Sequence, residues 1–389
     1  MYLAYCVAYR NRRMKALLWL TPLLLLLYGC PKRTDCPACA AGGPSTARQA
    51  VLEGEDEFSH TLVNALGSQK SPNILLLSGG GAHGAWGAGV LNGWTQKPRF
   101  DVVTGISTGS LISTFAFLGK QYDKELEDTY TGVSNSDIFR DRWWISLPFS
   151  SSVKTTGPLR ELIAKHVTNA VIDEVAKESG KRLLLVGTVD FDKGTFVIWD
   201  LTRLAAASDM PDRYDRYRQI LLAATAIPAI FPPVMIDGAM HVDGGIREQV
   251  FGSRFKAAVT RAYQATALRG GGLRDVGVGE PTVYIIINGQ LAVRKECVDP
   301  YLLPMLQRTV NVVLGETMIG NLCKIQAGLG KIHLSRIPDD YPLNSASEEF
   351  NQEEMKNLFE AGKKWATASP ISWESTVDAG ESPLPCSDN

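Results

Sequence analysis

Short apolar runs alternate with segments of helical composition along the chain. Residues 74–77 are all apolar and stand between a proline and a glycine, a pattern typical of a strand buried on both faces. A helical segment at 84–94 follows, and a second apolar run at 102–104 precedes another helical segment at 111–118. This order predicts a βαβα unit.

Further apolar runs extend the α/β pattern downstream. Strands are predicted at 183–189, 195–199 and 283–287. The dipeptide Asp237-Gly238 favours a tight turn, so a hairpin is predicted between residues 234–236 and 240–242.

Crossover connections make the first two predicted strands parallel, so the loops that follow them emerge at the same carboxyl edge of the sheet. Residues 122–153, rich in aromatic side chains, are expected to form a less regular insertion that covers this edge. Within it, Trp143 and Trp144 either contact a lipid surface or pack in the core, and the pattern leaves both open.

The first 30 residues have the composition of a targeting segment. Basic residues lead into an apolar run at 16–28, which is too short to span a bilayer comfortably and ends just before Cys30. This ending resembles a bacterial lipoprotein signal. Residues 1–29 are therefore expected to be removed and Cys30 lipidated, which would anchor the protein to a membrane of the cell envelope. An ordinary signal peptide with a free Cys30 is the alternative, and a start at Met14 would make the signal more compact.

The composition suggests three further segments. Residues 30–60 are expected to carry a flexible tether, because Pro, Gly, Ala, Ser and Thr are frequent there. The catalytic body is expected at 70–370 and a C-terminal tail at 371–389.

Overall composition excludes several classes of protein. A content of 45% hydrophobic and 21% charged residues is that of a globular protein. The net charge is −1, and since the first 29 residues hold four basic and no acidic residues, it is −5 without them, which argues against a nucleic-acid partner. Cys36 and Cys39 lack a second pair at zinc spacing, so neither a metal nor a cofactor is predicted. The sequence gives no indication of oligomeric state.

Glycines cluster between the first predicted strand and helix, in GGGAHG. The loop comprises Gly79, Gly80, Gly81 and Ala82. Its N–H groups would lie at a helix N-terminus, where negative charge is stabilised. The Gly-x-Gly-x-x-Gly spacing, ending at Gly84, also fits a dinucleotide-binding loop. In that motif an acid follows the second strand, whereas Asp101 precedes it, which disfavours a nucleotide site. An inert turn is the other alternative.

The sequence GISTG follows the second predicted strand. A Gly-x-Ser-x-Gly turn exposes a serine hydroxyl between a strand and a helix, and Gly105 and Gly109 allow the backbone to pass close to Ser107. A nucleophile beside a cradle of N–H groups supplies two of the three parts of an acyl-transfer site. A buried structural serine is the alternative.

The third part is a base. Histidine is the usual one, and the candidates downstream of the serine are His166, His241 and His333. None lies in a sequence context that marks it as a base. The second strand of the predicted hairpin ends instead at Asp243, and Gly244 and Gly245 allow another segment to approach it closely. Asp243 is therefore the better candidate.

With these residues the chain resembles the patatin-like phospholipase family. GGGAHG is similar to the family's oxyanion loop, GISTG to its nucleophile elbow, and Asp243-Gly244-Gly245 to its catalytic Asp-Gly-Gly motif, all in family order. The segment IPAIFPPVMIDG is also characteristic, and weaker similarity extends to a C-terminal helix at 357–366.

The resemblance implies a three-layer α/β fold with a mainly parallel central sheet flanked by helices. It implies a serine hydrolase of lipid acyl esters with Ser107 and Asp243 as a catalytic dyad, requiring no metal or cofactor. The glycine loop would form the oxyanion hole, and burial would raise the pKa of Asp243. An acyltransferase with the same dyad and a non-catalytic envelope lipoprotein are the alternatives.

One position departs from the family pattern. The family usually has Arg or Lys where this chain has His83. Ionisation of His83 at about pH 6–7 would make activity pH-dependent, whereas a solvated loop histidine would not.

Overall fold

The structure is a computed structural model that describes residues 51–52, 57–58, 60–62, 65, 71–141, 151–251, 281–291, 297–326 and 331–374. Cys30, the predicted signal, most of the predicted tether, and Trp143 and Trp144 lie outside these residues. No helix in the described part of the chain is both long and apolar enough to cross a membrane.

Ten strands are described. They are β1 (Asn73–Leu77), β2 (Val102–Gly105), β3 (Arg140–Asp141), β4 (Lys154–Thr155), β5 (Leu183–Asp190), β6 (Thr195–Asp200), β7 (Val234–Ile236), β8 (Ala239–Asp243), β9 (Thr282–Ile287) and β10 (Lys331–Arg336). Eight of them form one sheet in the order β10-β9-β1-β2-β5-β8-β7, with β6 also paired to β5, while β3 and β4 form a separate antiparallel pair.

Ten α-helices are described alongside the strands. They are α1 (Gly84–Gly93), α2 (Thr108–Leu118), α3 (Asp123–Thr131), α4 (Asn135–Ile138), α5 (Gly157–His166), α6 (Asn169–Ala176), α7 (Leu201–Ala206), α8 (Arg213–Ala224), α9 (Leu302–Gln326) and α10 (Gln352–Thr367). Short 3₁₀ turns at Gly81–His83 and Gly244–Ile246 flank the site described below.

The sheet is buried between two apolar layers. Alternate residues of β1 point to opposite faces, as the strand period requires. Leu75 and Leu77 belong to a cluster with side chains of α1, α2, α8 and α10, whereas Ile74 and Leu76 belong to a cluster with side chains of α9. The fold is therefore α/β with three layers, as the resemblance implied.

Strand pairing is parallel in the centre of the sheet and antiparallel at one side. The strands β10, β9, β1, β2 and β5 run parallel, while β6 and β8 run antiparallel to β5. The chain moves from β1 to β2 and β5 in one direction and later places β9 and β10 on the other side of β1. The carboxyl end of β1 is thus the point where strand order reverses, which is where open α/β sheets form their binding crevice.

One edge of β5 positions the candidate site. Strand β6 pairs with β5 at both Val186 and Thr188, so it occupies one edge of β5 there. Gly105 of β2, which pairs with Val186, and Asp243 of β8, which pairs with Thr188, therefore share the other edge. The carboxyl end of β2 therefore meets the carboxyl end of β8 head to head.

The elements predicted from apolar runs are present. All five predicted strands have counterparts, and the hairpin of β7 and β8 turns at Asp237 (φ 50°) and Gly238 (φ 78°), as in a type I′ turn. The insertion at 122–153 is more regular than expected in its described part, since α3 and α4 lie there. Leu126 and Tyr130, four residues apart, bury one face of α3 under an otherwise charged segment.

Candidate active site

Ser107 lies at the sharp turn between β2 and α2. Its φ of 51° and ψ of −124° fall in a region that residues with a Cβ atom rarely occupy, as in a nucleophile elbow. The turn is fixed by hydrogen bonds from Ile106 N to Leu77 O (3.1 Å) and from Gly109 N to Ile106 O (2.8 Å). A Cβ atom built on Gly109 would lie 2.6 Å from Leu77 O, so only glycine allows α2 to begin this close to β1.

The glycine loop lies directly against Ser107. A Cβ atom built on Gly79 would be 3.2 Å from the Ser107 Cβ atom. Gly80 and Gly81 have φ angles of 149° and 53°, in the region that favours glycine. The structure thus brings the loop and the serine together at one sheet edge, the arrangement expected from two parallel strands.

Two of the four N–H groups of this loop donate to carbonyl groups of the protein. Gly79 N donates to Gln249 O (3.3 Å), and Ala82 N donates to Ser347 O (2.7 Å). For the N–H groups of Gly80 and Gly81, no acceptor is found among the described residues. Two backbone donors beside Ser107 are therefore available to a ligand.

Asp243 ends β8 and is almost completely buried. Its Oδ1 atom accepts a hydrogen bond from Gly245 N (2.7 Å), and its own N–H donates to Ala226 O (3.0 Å). Gly244 allows β8 to approach β5, since a Cβ atom there would lie 2.6 Å from Gly187 O. The carboxyl group is therefore held rigidly at the site.

The carboxyl group of Asp243 is a much stronger base than a solvated aspartate. Burial raises its pKa from 3.8 to about 7, against the lowering effects of the Ser107 hydroxyl and the Gly245 N–H. Within the described part of the chain, Oδ2 makes no hydrogen bond of good geometry, while the Ser107 hydroxyl lies close enough to lower the pKa of the carboxyl group.

The three histidines considered as bases are occupied elsewhere. His241 Nδ1 is hydrogen-bonded to Thr188 Oγ1 (3.0 Å), which also accepts from Trp199 Nε1. Burial lowers the pKa of His241 to about 4. His333 stacks on Tyr284 in β9. His166 ends α5, and burial lowers its pKa.

His83 lies beside the loop and faces a carboxylate. It lines the larger cavity described below, and its charge is one of the groups that act on Glu354. Partial burial would raise the pKa of Glu354, but hydrogen bonds from the N–H groups of Ser345 and Asn344, together with His83, lower it overall.

Asn288 is a site residue that motif analysis missed. It follows β9 directly, and its Nδ2 donates to Ser78 O (2.9 Å) while its Oδ1 accepts from Gly87 N (3.1 Å). These bonds tie the end of β1 to α1 across the glycine loop. The available signal was a polar residue immediately after the apolar run 283–287.

Two cavities are bordered by Ser107. The α9 cavity, of about 200 Å³, is bordered by the glycine loop and α9. The α3 cavity, of about 50 Å³, is bordered by α2, α3 and α5. The serine therefore borders two cavities whose other lining residues differ.

The position of Asp101 disfavours a nucleotide site at the glycine loop. Asp101 lies at the amino end of β2, where its Oδ2 accepts from Asn73 N (2.8 Å), on the edge of the sheet opposite to the glycine loop. Among the described residues, no cluster of His, Cys, Asp and Glu has the arrangement of a metal site.

Comparison with known proteins agrees with this geometry. A model of the patatin-like phospholipase family matches residues 75–251, which contain the glycine loop, Ser107 and Asp243. No match is found among the curated proteins. The family supports lipid acyl hydrolysis as the general class of activity. The chain therefore carries a domain of the patatin-like phospholipase family at residues 75–251.

Proposed function

We propose that this protein hydrolyses acyl esters of lipids with a Ser107–Asp243 dyad. The observation that carries the proposal is the buried carboxyl group of Asp243, with a pKa of about 7, beside the hydroxyl of a strained serine. A base of this pKa is half deprotonated at neutral pH, which suits proton transfer from serine. The nearby histidine, His241, is held by Thr188 instead.

In the first step, the Ser107 hydroxyl attacks the ester carbonyl carbon while Asp243 accepts its proton. The C–O bond to the alcohol then breaks, and the protonated Asp243 returns the proton to the leaving oxygen. An acyl-serine ester and a free alcohol result.

In the second step, water attacks the acyl-serine carbonyl and Asp243 accepts a proton from it. The Ser107 oxygen leaves and takes up that proton, so the fatty acid is released and the dyad is regenerated. If an alcohol replaces water in this step, the same residues perform acyl transfer.

The negatively charged carbonyl oxygen of both steps is assigned to the N–H groups of Gly80 and Gly81. The sequence suggested four donors, but Gly79 and Ala82 donate to the Gln249 and Ser347 carbonyls. A donor of this kind typically lowers the barrier by about 3 kcal/mol.

The proposal is tested by labelling with a fluorophosphonate, followed by assays on phospholipids and short-chain esters. The parent should be labelled, whereas Ser107→Ala should not, and Asp243→Asn should lose ester hydrolysis while keeping its melting transition. Activity retained by Asp243→Asn but lost in a histidine variant would replace the dyad with a triad. Product analysis with an added alcohol separates hydrolase from transferase, and an unlabelled, inactive parent would indicate a non-catalytic lipoprotein.

We also propose that a lipid on Cys30 anchors the enzyme at the cell envelope, as the signal-like composition of residues 1–29 suggests. Radiolabelled palmitate should enter the parent but not Cys30→Ser. Incorporation that is equal in both proteins would contradict the anchor.

A further inference from the structure

The two cavities meet at the reacting oxygen. Both are lined by Ser107, and they also share Gly81, Ile227 and Ser347. An ester bound covalently or non-covalently at Ser107 has two arms, the acyl chain and the alcohol. Each arm therefore has a separate cavity available to it.

The α3 cavity is apolar. Its lining includes Leu111, Val133, Leu159, Leu162, Phe231 and Met355. Its polar neighbours are already satisfied: the Tyr130 hydroxyl is hydrogen-bonded to Thr108 Oγ1 (2.6 Å), and the Glu348 carboxylate accepts from Gln307 and Ser347. A ligand in this cavity would bury apolar surface, and a polar group on that ligand would meet few hydrogen-bond partners.

The lining of the α9 cavity is more polar than that of the α3 cavity, although Leu291, Leu314 and Met318 also border it. Gln290, Asn288, Arg308 and Asn311 line it together with the glycine loop. The amide of Asn288 already bonds to Ser78 and Gly87, and that of Gln290 donates to carbonyls of residues 338–341. Arg308 and Asn311 are therefore the side chains of this lining that we expect to bind a hydroxyl, phosphate or amide group. This side suits a polar alcohol and the water that later replaces it.

We propose that the α3 cavity binds the acyl chain of the substrate and that the α9 cavity binds the alcohol. This assignment rests on the proposed function, since it presupposes an ester at Ser107. The α3 cavity, with about 50 Å³, has room for about four water-sized groups. It therefore holds the acyl carbons nearest to the ester, and the side chains of its wall determine how many of these carbons gain apolar contact.

Leu162 of α5 and Leu314 of α9 provide a matched pair of variants. Each leucine is partly exposed and lines one cavity only. Leu162→Trp would fill most of the α3 cavity, whereas Leu314→Trp would fill part of the α9 cavity. Partial exposure leaves room for a larger side chain without disrupting the core.

The experiment measures kcat/KM for p-nitrophenyl esters from acetate to dodecanoate, so that only the acyl chain changes. In Leu162→Trp, the ratio of hexanoate to acetate should fall at least tenfold, since each methylene that loses apolar contact costs about fourfold. In Leu314→Trp this ratio should stay within about twofold of the parent. Leu162→Ala should raise kcat/KM for longer acyl chains relative to shorter ones. This variant tests the assignment of the α3 cavity if Leu162→Trp does not fold.

A shift in acyl preference for Leu314→Trp but not for Leu162→Trp would reverse the assignment, and no shift in either would overturn it. Binding of hexanoate to Ser107→Ala, measured by calorimetry, provides a readout that needs no catalysis. Loss of this binding in the Ser107→Ala, Leu162→Trp double variant supports the assignment, and unchanged binding contradicts it. Failure of the proposed function is distinct, because the parent would then cleave none of the esters.

Discussion

Two residues of the site are held in states that cost free energy of folding. Ser107 has a positive φ although it carries a Cβ atom, and Asp243 has a carboxyl group removed from water. Hydrogen bonds around the turn and close packing at Gly109 hold the serine in place. Such local costs are expected where a catalytic geometry must exist before substrate arrives, because the rest of the domain can offset them.

The ionisation of Asp243 should govern the pH dependence of catalysis. Only the carboxylate can accept the Ser107 proton, so kcat/KM for an ester should rise with pH and level off above an inflection near its pKa of about 7. A pH–rate profile between about pH 5 and 9 measures this.

His83→Arg identifies which group produces the inflection. If Asp243 is responsible, the variant keeps the inflection, because arginine does not titrate in this range. Loss of the inflection in His83→Arg would assign it to His83, beside Glu354, and remove the main support for Asp243 as the base.

The same carboxyl group should make folding stability depend on pH. Its pKa is 3.8 when solvated and about 7 when folded, so the folded state binds the extra proton between these values. The contribution of Asp243 is therefore most favourable below about pH 4 and is lost as pH rises to about 7. Asp243→Asn avoids this loss, so it should be more stable than the parent at about pH 8, by on the order of 4 kcal/mol, and equal to it at low pH.

Urea unfolding of both proteins at several pH values measures this difference. Asparagine keeps the acceptor for Gly245 N–H and nearly the same volume, which makes it a suitable replacement. A difference in the free energy of unfolding that does not change between about pH 4 and 7 would mean that the carboxyl group is not protonated when buried.

At the scale of elements, the backbones of α1 and α10 lie in close contact. A Cβ atom built on Gly89 would lie 2.0 Å from Phe359 O, and one built on Gly362 would lie 2.4 Å from Trp86 O. Glycines on both helices let the two backbones touch. Because α1 begins at the glycine loop, α10 stabilises the helix that directly follows the N–H groups of Gly80 and Gly81.

Gly89→Val should therefore destabilise the protein strongly. The added side chain must separate α1 from α10, at an expected cost of about 3 kcal/mol or more in the free energy of unfolding. Gly320→Val is the matched control, because Gly320 is also helical and a Cβ atom there meets nothing within 4 Å. Melting temperatures of the two variants measure the effect, and equal values would show that the contact is looser than described.

The sequence predicted those elements whose signals are local. Runs such as 74–77 and the turn at Asp237-Gly238 are complete within a few residues, so their strands and hairpin were identified. Helix α9 was missed because Pro304, Gly315 and Gly320 interrupt its helical composition. The pairing of β8 on the same β5 edge as β2 was not predictable either, since register depends on contacts between distant segments.

The same distinction between local signals and contacts of distant segments applies to the candidate site. The motifs around Gly79, Ser107 and Asp243 were recognisable, but two properties of the site emerged only from the fold. Strand pairing places the aspartate beside the serine, and the carbonyls of Gln249 and Ser347 occupy two of the four expected N–H donors. A sequence motif states which residues are present, whereas their free donors and pKa values depend on neighbours from other elements.

At the scale of the whole molecule, the part of the chain that forms the sheet and the candidate site is longer than the segment that matches the family. The match ends at residue 251, yet Asn288 follows β9, Ser347 accepts from the loop at Ala82, and α10 supports α1. The described residues between 282 and 367 thus complete both the sheet and the surroundings of Ser107. The family segment alone is not expected to fold.

A truncation after Asn351 tests this dependence. It removes α10, with the buried side chains of Met355, Leu358 and Phe359, which contribute about 1.5–3 kcal/mol each. Their sum is comparable to the total stability of a typical domain, so this chain should lose its cooperative melting transition and its labelling by a fluorophosphonate. A chain that ends at Glu374 keeps α10 and the bridge between Leu334 and Glu374, and it should retain both properties. Normal labelling of the shorter chain would show instead that the sheet and the site form without α10, and that the close contact at Gly89 only adds stability to a unit already complete.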